Sequence, residues 1–169
     1  MCDGEFTQVP LPLCELSRLE RLHLYENKIS TLPDEMSNLQ GLDTLSLGDC
    51  KFTHFPQVLC ELKNLRDLSL GNNAITSVPR EIKRLKKLCW LGLEQNALTF
   101  LPAELGELEN LKHLDLGENQ LTTLPDTLCG LQKLKSIGLL KNPLSEFPRV
   151  LFELKSLQSI RKNLKLREF

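Results

Sequence analysis

The sequence is short of the features that would commit it to a phosphate backbone or a bilayer. Among 169 residues there are one Trp, one Tyr and seven Phe, and 21 basic residues stand against 22 acidic ones. A chain of net charge −1 lacks the basic surplus that a dedicated nucleic-acid binder needs to displace counterions. It holds no run of 18 apolar residues, so no segment suits a membrane-crossing helix. The stretch Met1 to Pro12 has neither the basic start nor the apolar run of a secretory leader. Cys-x-x-Cys pairs, Cys/His ligand spacings and a glycine-rich phosphate loop are all missing, and His23, His54 and His113 are too dispersed to share a metal. These absences lead to the expectation of a cytoplasmic monomer, one domain over 1–169, that binds neither nucleic acid nor membrane and uses no cofactor or metal.

What the sequence has instead is a period. Leucine stands at Leu19, Leu42, Leu65, Leu88, Leu111, Leu134 and Leu157, a step of 23 with no insertion. Further apolar columns keep that step: Leu22 to Ile160, Leu24 to Leu139, Phe6 to Leu144, Val9 to Phe147, and two that run from Leu13 and Leu16 to Leu151 and Leu154. Lys162 alone breaks the pattern, at the end of the Leu24 column. Within one unit, Leu65-Arg66-Asp67-Leu68-Ser69-Leu70 ends in strict alternation, which predicts a short half-buried strand. Val78, Ile82 and Leu85 are spaced by four and three, which suits a helical or 3₁₀ turn. One unit cannot bury both faces alone. Stacked units bury a continuous core, each adding about seven apolar side chains at ~1.5–3 kcal/mol apiece before the entropy of ordering them.

Two polar columns share the step. Proline recurs at Pro10, Pro33, Pro56, Pro79, Pro102, Pro125 and Pro148, where a fixed φ and a missing N–H suit the start of a new segment. Asparagine recurs at Asn27, Asn73, Asn96, Asn119 and Asn142, where a carboxamide can satisfy turn backbone inside the coil. Cys50 takes its place in one unit, and Gly4 at the start.

The pattern Leu-x-x-Leu-x-Leu-x-x-Asn-x-Leu-x-x-Leu-Pro-x-x-Leu-x-x-Leu-x-x resembles the 23-residue leucine-rich repeat. Its form is that of intracellular Ras-suppressor and Scribble-like proteins and of similar bacterial repeat proteins. The resemblance covers residues 4 to 160. It implies an α/β solenoid, a horseshoe with a parallel β-sheet on the concave face and short helical, 3₁₀ or extended segments on the convex one, used to bind proteins. About seven repeats are expected. Residues 1–18 form a partial N-terminal repeat, 19–156 six complete repeats, and 157–169 a partial repeat or short capping helix.

The six cysteines add no bridge. Cys14, Cys60 and Cys129 share a column but lie two and three units apart, roughly 10 and 14 Å at ~4.8 Å per strand step, beyond disulfide reach. Free thiols fit a reducing compartment.

The polar strand positions stack into rows. One row reads Arg21, Thr44, Asp67, Trp90, His113, Ser136; the next reads His23, Ser46, Ser69, Gly92, Asp115, Gly138; a third reads Tyr25, Gly48, Gly71, Glu94, Gly117, Leu140. Their many Gly and Ser predict an open track in which a few large residues stand out. Trp90, flanked by Asp67 and His113 with Glu94 and Asp115 nearby, has the composition of a binding hot spot, an aromatic anchor in polar surroundings. Arg21, His23 and Tyr25 form a second candidate cluster in the first complete unit. For both, the plain alternative is a face that packs on itself and binds nothing.

Three weaker signals remain. The run Arg80, Lys83, Arg84, Lys86, Lys87 is either a patch for acidic partners or localisation, or a solvated face. Phe100 is a single exposed apolar residue, which is ordinary. His113, Ser136 and Asp115 share a face, but a flat ladder offers hydrolysis no oxyanion hole and no water-excluding pocket. The expected function is therefore a non-enzymatic protein–protein interaction module. The alternatives are a bacterial effector that binds a host protein in the host cytoplasm, a substrate-targeting or regulatory fragment of a larger enzyme, and a structural spacer.

Overall fold

A computed structural model describes residues 4–145 and 148–154. Each 23-residue unit becomes one coil. The alternating segments form six three-residue strands: β1 (Arg21–His23), β2 (Thr44–Ser46), β3 (Asp67–Ser69), β4 (Trp90–Gly92), β5 (His113–Asp115) and β6 (Ser136–Gly138). They pair in chain order, all parallel, in one sheet. Every residue faces the one 23 further on, so Asp67 is opposite Trp90 and Trp90 opposite His113. The ladder continues past the strands: the Leu47, Leu70 and Leu93 N–H groups donate to the Ser69, Gly92 and Asp115 carbonyls at 2.9, 2.9 and 2.8 Å.

The other side of each coil is a five-residue 3₁₀ turn: Leu11–Glu15, Asp34–Asn38, Gln57–Glu61, Arg80–Arg84, Ala103–Glu107 and Asp126–Gly130. A column proline precedes each, with φ from −62° at Pro10 to −73° at Pro79. Its carbonyl accepts the first turn bond, as in Met36 N–H to Pro33 O at 3.1 Å. Short turns with inward residues three apart, such as Ile82 and Leu85, match the 3₁₀ repeat, in which i and i+3 eclipse. The last described turn, after Pro148, is a single α-turn, α1 (Val150–Glu153).

Between sheet and turns lie the leucine columns. Leu68, Leu91, Leu65, Leu88 and Leu111 have no solvent exposure. Phe6 and Leu16 depart from the column pattern, at 37% and 54% exposed, because no described coil covers them on that side. The expected terminal helix over 157–169 and the break at Lys162 lie outside the described residues, as do Met1 and Cys2.

The asparagines form a spine that ties coil to coil. Asn73 Oδ1 accepts the Phe52 N–H at 3.1 Å, while its Nδ2 donates to the carbonyls of Leu47, Leu70 and Gly71 at 3.0, 3.0 and 3.1 Å. Asn96, Asn119 and Asn142 likewise accept from Ile75, Leu98 and Leu121 at 2.9, 3.0 and 3.0 Å. Cys50 makes one bond of this set, Sγ to the Leu24 carbonyl at 3.4 Å. Just before this column the chain turns through the left-handed region at Glu26, Asp49, Asn72, Gln95, Glu118 and Lys141, with φ of 51–58°. None is glycine, and only Asp49 and Asn72 are residues that tolerate this region readily, so the sequence carries little flag of this turn.

Candidate functional site

The sheet turns the centre residue of each strand inward and the two flanking ones outward. The register therefore brings the predicted cluster together: Asp67, Trp90 and His113 sit on three neighbouring strands, with Asp115 beside Gly92 in the next row. Arg21 and His23 are exposed at the first strand, and Tyr25 is partly buried. Arg21 is two strands from Asp67 in the same row, and its charge acts on that carboxyl.

The expected open track is filled. A methyl on Gly92 would overlap the rim of the Trp90 indole and sit 3.0 Å from Glu94 Oε2. A methyl on Gly71 would run into the Glu94 carboxylate, and one on Gly138 into that of Asp115. The glycines of these rows are thus the floor on which Trp90, Glu94 and Asp115 lie down. Sequence reasoning saw the glycines as gaps; the signal for their role was that each stands next to one large side chain in the neighbouring row or strand.

This packing costs solvation. Glu94 Oε2 is buried without a hydrogen-bond partner among the described residues. Burial pushes the Glu94 carboxyl above its usual range; its own backbone amide pulls part of that back, and the Asp115 and Asp49 charges push it further up. Asp67 is also raised, first by burial and then by Asp43, against the opposing charges of Arg66, Arg21 and His113. Asp115 Oδ1 accepts the Gly117 N–H at 3.0 Å. His113 Nδ1 and Ser136 Oγ are 2.8 Å apart, but Asp115 is engaged with Gly117 rather than orienting the imidazole. Leu140, which sequence reasoning did not single out, is 83% exposed on this face.

The other signals resolve locally. Arg84 pairs with Glu61, Lys83 and Lys86 reach Glu107 at 3.8 and 3.2 Å, and Lys87 donates to Asn64 Oδ1 at 2.6 Å. The basic run is thus largely spent on stitching neighbouring coils, by exposed pairs worth about 0.2–1 kcal/mol each. Phe100 is 56% exposed. Cys14, Cys50, Cys60, Cys89 and Cys129 are free thiols, and burial pushes Cys60 up to about 12, which leaves it unreactive. Among the described residues no group of three or more metal-ligating side chains occurs, and no helix is long and apolar enough to cross a membrane.

Parallel coils in strict register, proline-led turns and a carboxamide spine define a solenoid repeat protein whose outward sheet face carries its most varied side chains. The leucine rich repeat family model matches residues 41–98 and 90–144, and a second leucine rich repeat model matches residues 18–39. The chain belongs to the leucine-rich repeat family. No curated protein matches it at a significant level. Solved structures do. A leucine-rich repeat protein of Leptospira interrogans is 39% identical with a TM-score of 0.82, covering 95% of this chain and 39% of that one. The ectodomain of the Arabidopsis thaliana receptor kinase GASSHO1/SCHENGEN3, solved in complex with CASPARIAN STRIP INTEGRITY FACTOR 2, is 32% identical with a TM-score of 0.78, covering 88% and 19%. An internalin of Listeria monocytogenes shares the fold at 23% identity and a TM-score of 0.71, covering 92% and 51%. The chain thus spans about half or less of the length of each.

Proposed function

We propose that this chain is a non-enzymatic protein-binding module that takes its partner on the outward, concave face of the sheet, with Trp90 as the anchor. The observation that carries the reading is the row itself: the single tryptophan lies between Asp67 and His113 on adjacent strands, with its indole rim over Gly92, in a parallel ladder in strict register. A preorganised surface of this kind lowers the ordering cost of association. Leucine-rich repeat proteins bind other proteins, and one structural neighbour was solved in complex with its partner. The 23-residue period supports the intracellular repeat class, and the free thiols among the described residues support a reducing, cytoplasmic compartment. Arg21, His23 and Tyr25 extend the surface at the first strand. A second reading is a bacterial protein that meets its partner in a host cell; the likeness to a Leptospira protein supports its bacterial part. The test is affinity capture from lysate with wild type and Trp90→Ala. Partners held by wild type and lost by the variant are expected; equal recovery of every partner by both overturns the role of Trp90.

A further inference from the structure

The binding reading leaves the chemistry of the partner open, and the charges of the sheet face narrow it. Elsewhere on the molecule Glu5, Asp43, Glu61, Glu107 and Glu118 each meet a lysine or arginine, while carboxylates such as Glu15, Glu109 and Asp126 enter no ion pair among the described residues but are exposed to solvent. Asp67, Glu94 and Asp115 enter no ion pair among the described residues, although all three are partly buried. They surround the one tryptophan. Independently, one Glu94 oxygen is shut off from water with nothing among the described residues donating to it, and it converges with the Trp90 rim on the same point above Gly92. A buried carboxylate oxygen without a donor is a cost that a bound donor would relieve.

We propose that Trp90, Glu94 and Asp115 form a seat for a lysine or arginine side chain of the partner, a deepening that rests on the concave-face binding read above. The cation supplies the donors that Glu94 lacks and the positive charge that Glu94 and Asp115 both face. Charge-assisted bonds of this kind are about twice as strong as neutral ones. The Trp90 indole rim reaches the same point above Gly92 as the Glu94 oxygen, so it borders the seat within reach of a cation–π contact with the guest. The glycine floor at Gly71, Gly92 and Gly138 lets the Glu94 and Asp115 carboxylates and the Trp90 rim lie low on the sheet, so the guest meets them together from the outward side. Leu140 gives the neighbouring partner residue an apolar contact at the edge of the seat.

The sole tryptophan sits inside the seat and reports on it directly. The full chain is titrated at low salt with three fluorophore-labelled peptides of equal length, one carrying lysines, one glutamates and one neutral glutamines. Binding is read by peptide anisotropy and, with unlabelled peptide, by Trp90 emission. The lysine peptide is expected to bind saturably, to shift Trp90 emission and to weaken as salt rises. Glu94→Gln and Asp115→Asn are each expected to weaken it by about tenfold, while Glu104→Gln, on a 3₁₀ turn, leaves it unchanged. Unchanged affinity in Glu94→Gln and Asp115→Asn overturns the seat. Tighter binding of the neutral or acidic peptide overturns the cationic partner and leaves concave-face binding standing. Binding of none of the three counts against both readings.

Discussion

Glu94 holds a carboxylate oxygen away from water on the outward side of the sheet, and this has a consequence for stability. Its carboxyl is raised from the ordinary 4.5, with burial as the largest cause. Between 4.5 and the raised value the folded chain holds more protons than the unfolded one, so stability falls as pH rises through that window. Below the window both states are protonated and the penalty vanishes; above it the full penalty remains. Glu94→Gln removes the charge and keeps the shape. It is expected to raise the melting temperature at about pH 7, with a gain that shrinks as pH is lowered towards about 4, read by thermal melts followed by circular dichroism. A loss of stability at neutral pH, or a gain that does not depend on pH, would contradict the burial of this charge. The same substitution is expected to weaken binding of a basic peptide, so stability and binding move in opposite directions. That opposition is the mark of a residue retained for contact rather than for folding.

The asparagine spine sets how one coil is fixed to the next, and its one departure is informative. Cys50 bonds the Leu24 carbonyl but offers no carboxamide oxygen to the Ile29 N–H, the group that corresponds to Phe52, Ile75 and Leu98 in the later coils. Cys50→Asn restores that acceptor and adds a bond towards Leu47. The expected gain is about 1 kcal/mol, or a rise of ~2–4 °C in melting temperature for a chain of this size. A fall in melting temperature would mean that this coil is not spaced like the others. Much at this scale was legible beforehand, because a step of 23 fixes which residues stack: the strands at Asp67 and Trp90, the turns after Pro79 and Pro102, and the core leucines follow from the columns alone. Three features were not. The left-handed turn at Gln95 and its equivalents carries no glycine, and only Asp49 and Asn72 favour it, so propensity gives no repeating sign of it. The collapse of Trp90 and Glu94 onto Gly92 and Gly71 depends on rotamers that spacing does not specify. The pairing of the basic run with Glu61 and Glu107 depends on how long side chains cross between coils, which the run itself does not encode.

At the scale of the molecule, substantial contacts among the described elements run only between successive units, strand to strand and turn to turn. A stack with nearest-neighbour contacts has a stability that is approximately a sum of coil and interface terms, so it need not open all at once. Central coils have a neighbour on both sides and hold Trp90, Glu94 and Asp115, so the proposed binding surface is expected to lie where the array resists local opening most. Leu91, at the centre of β4 and without solvent exposure, tests this. Leu91→Ala removes packing worth about 2–5 kcal/mol from one coil. Native-state hydrogen exchange of ladder amides is the measurement, with Leu70 and Leu93 beside the lesion and Leu24 at the first strand. In wild type the Leu70 and Leu93 amides are expected to exchange more slowly than Leu24. In the variant they are expected to lose most protection while Leu24 changes less. Equal loss at all three would show one cooperative unit, and the stiffness of the Trp90 surface would then belong to the whole chain rather than to its middle.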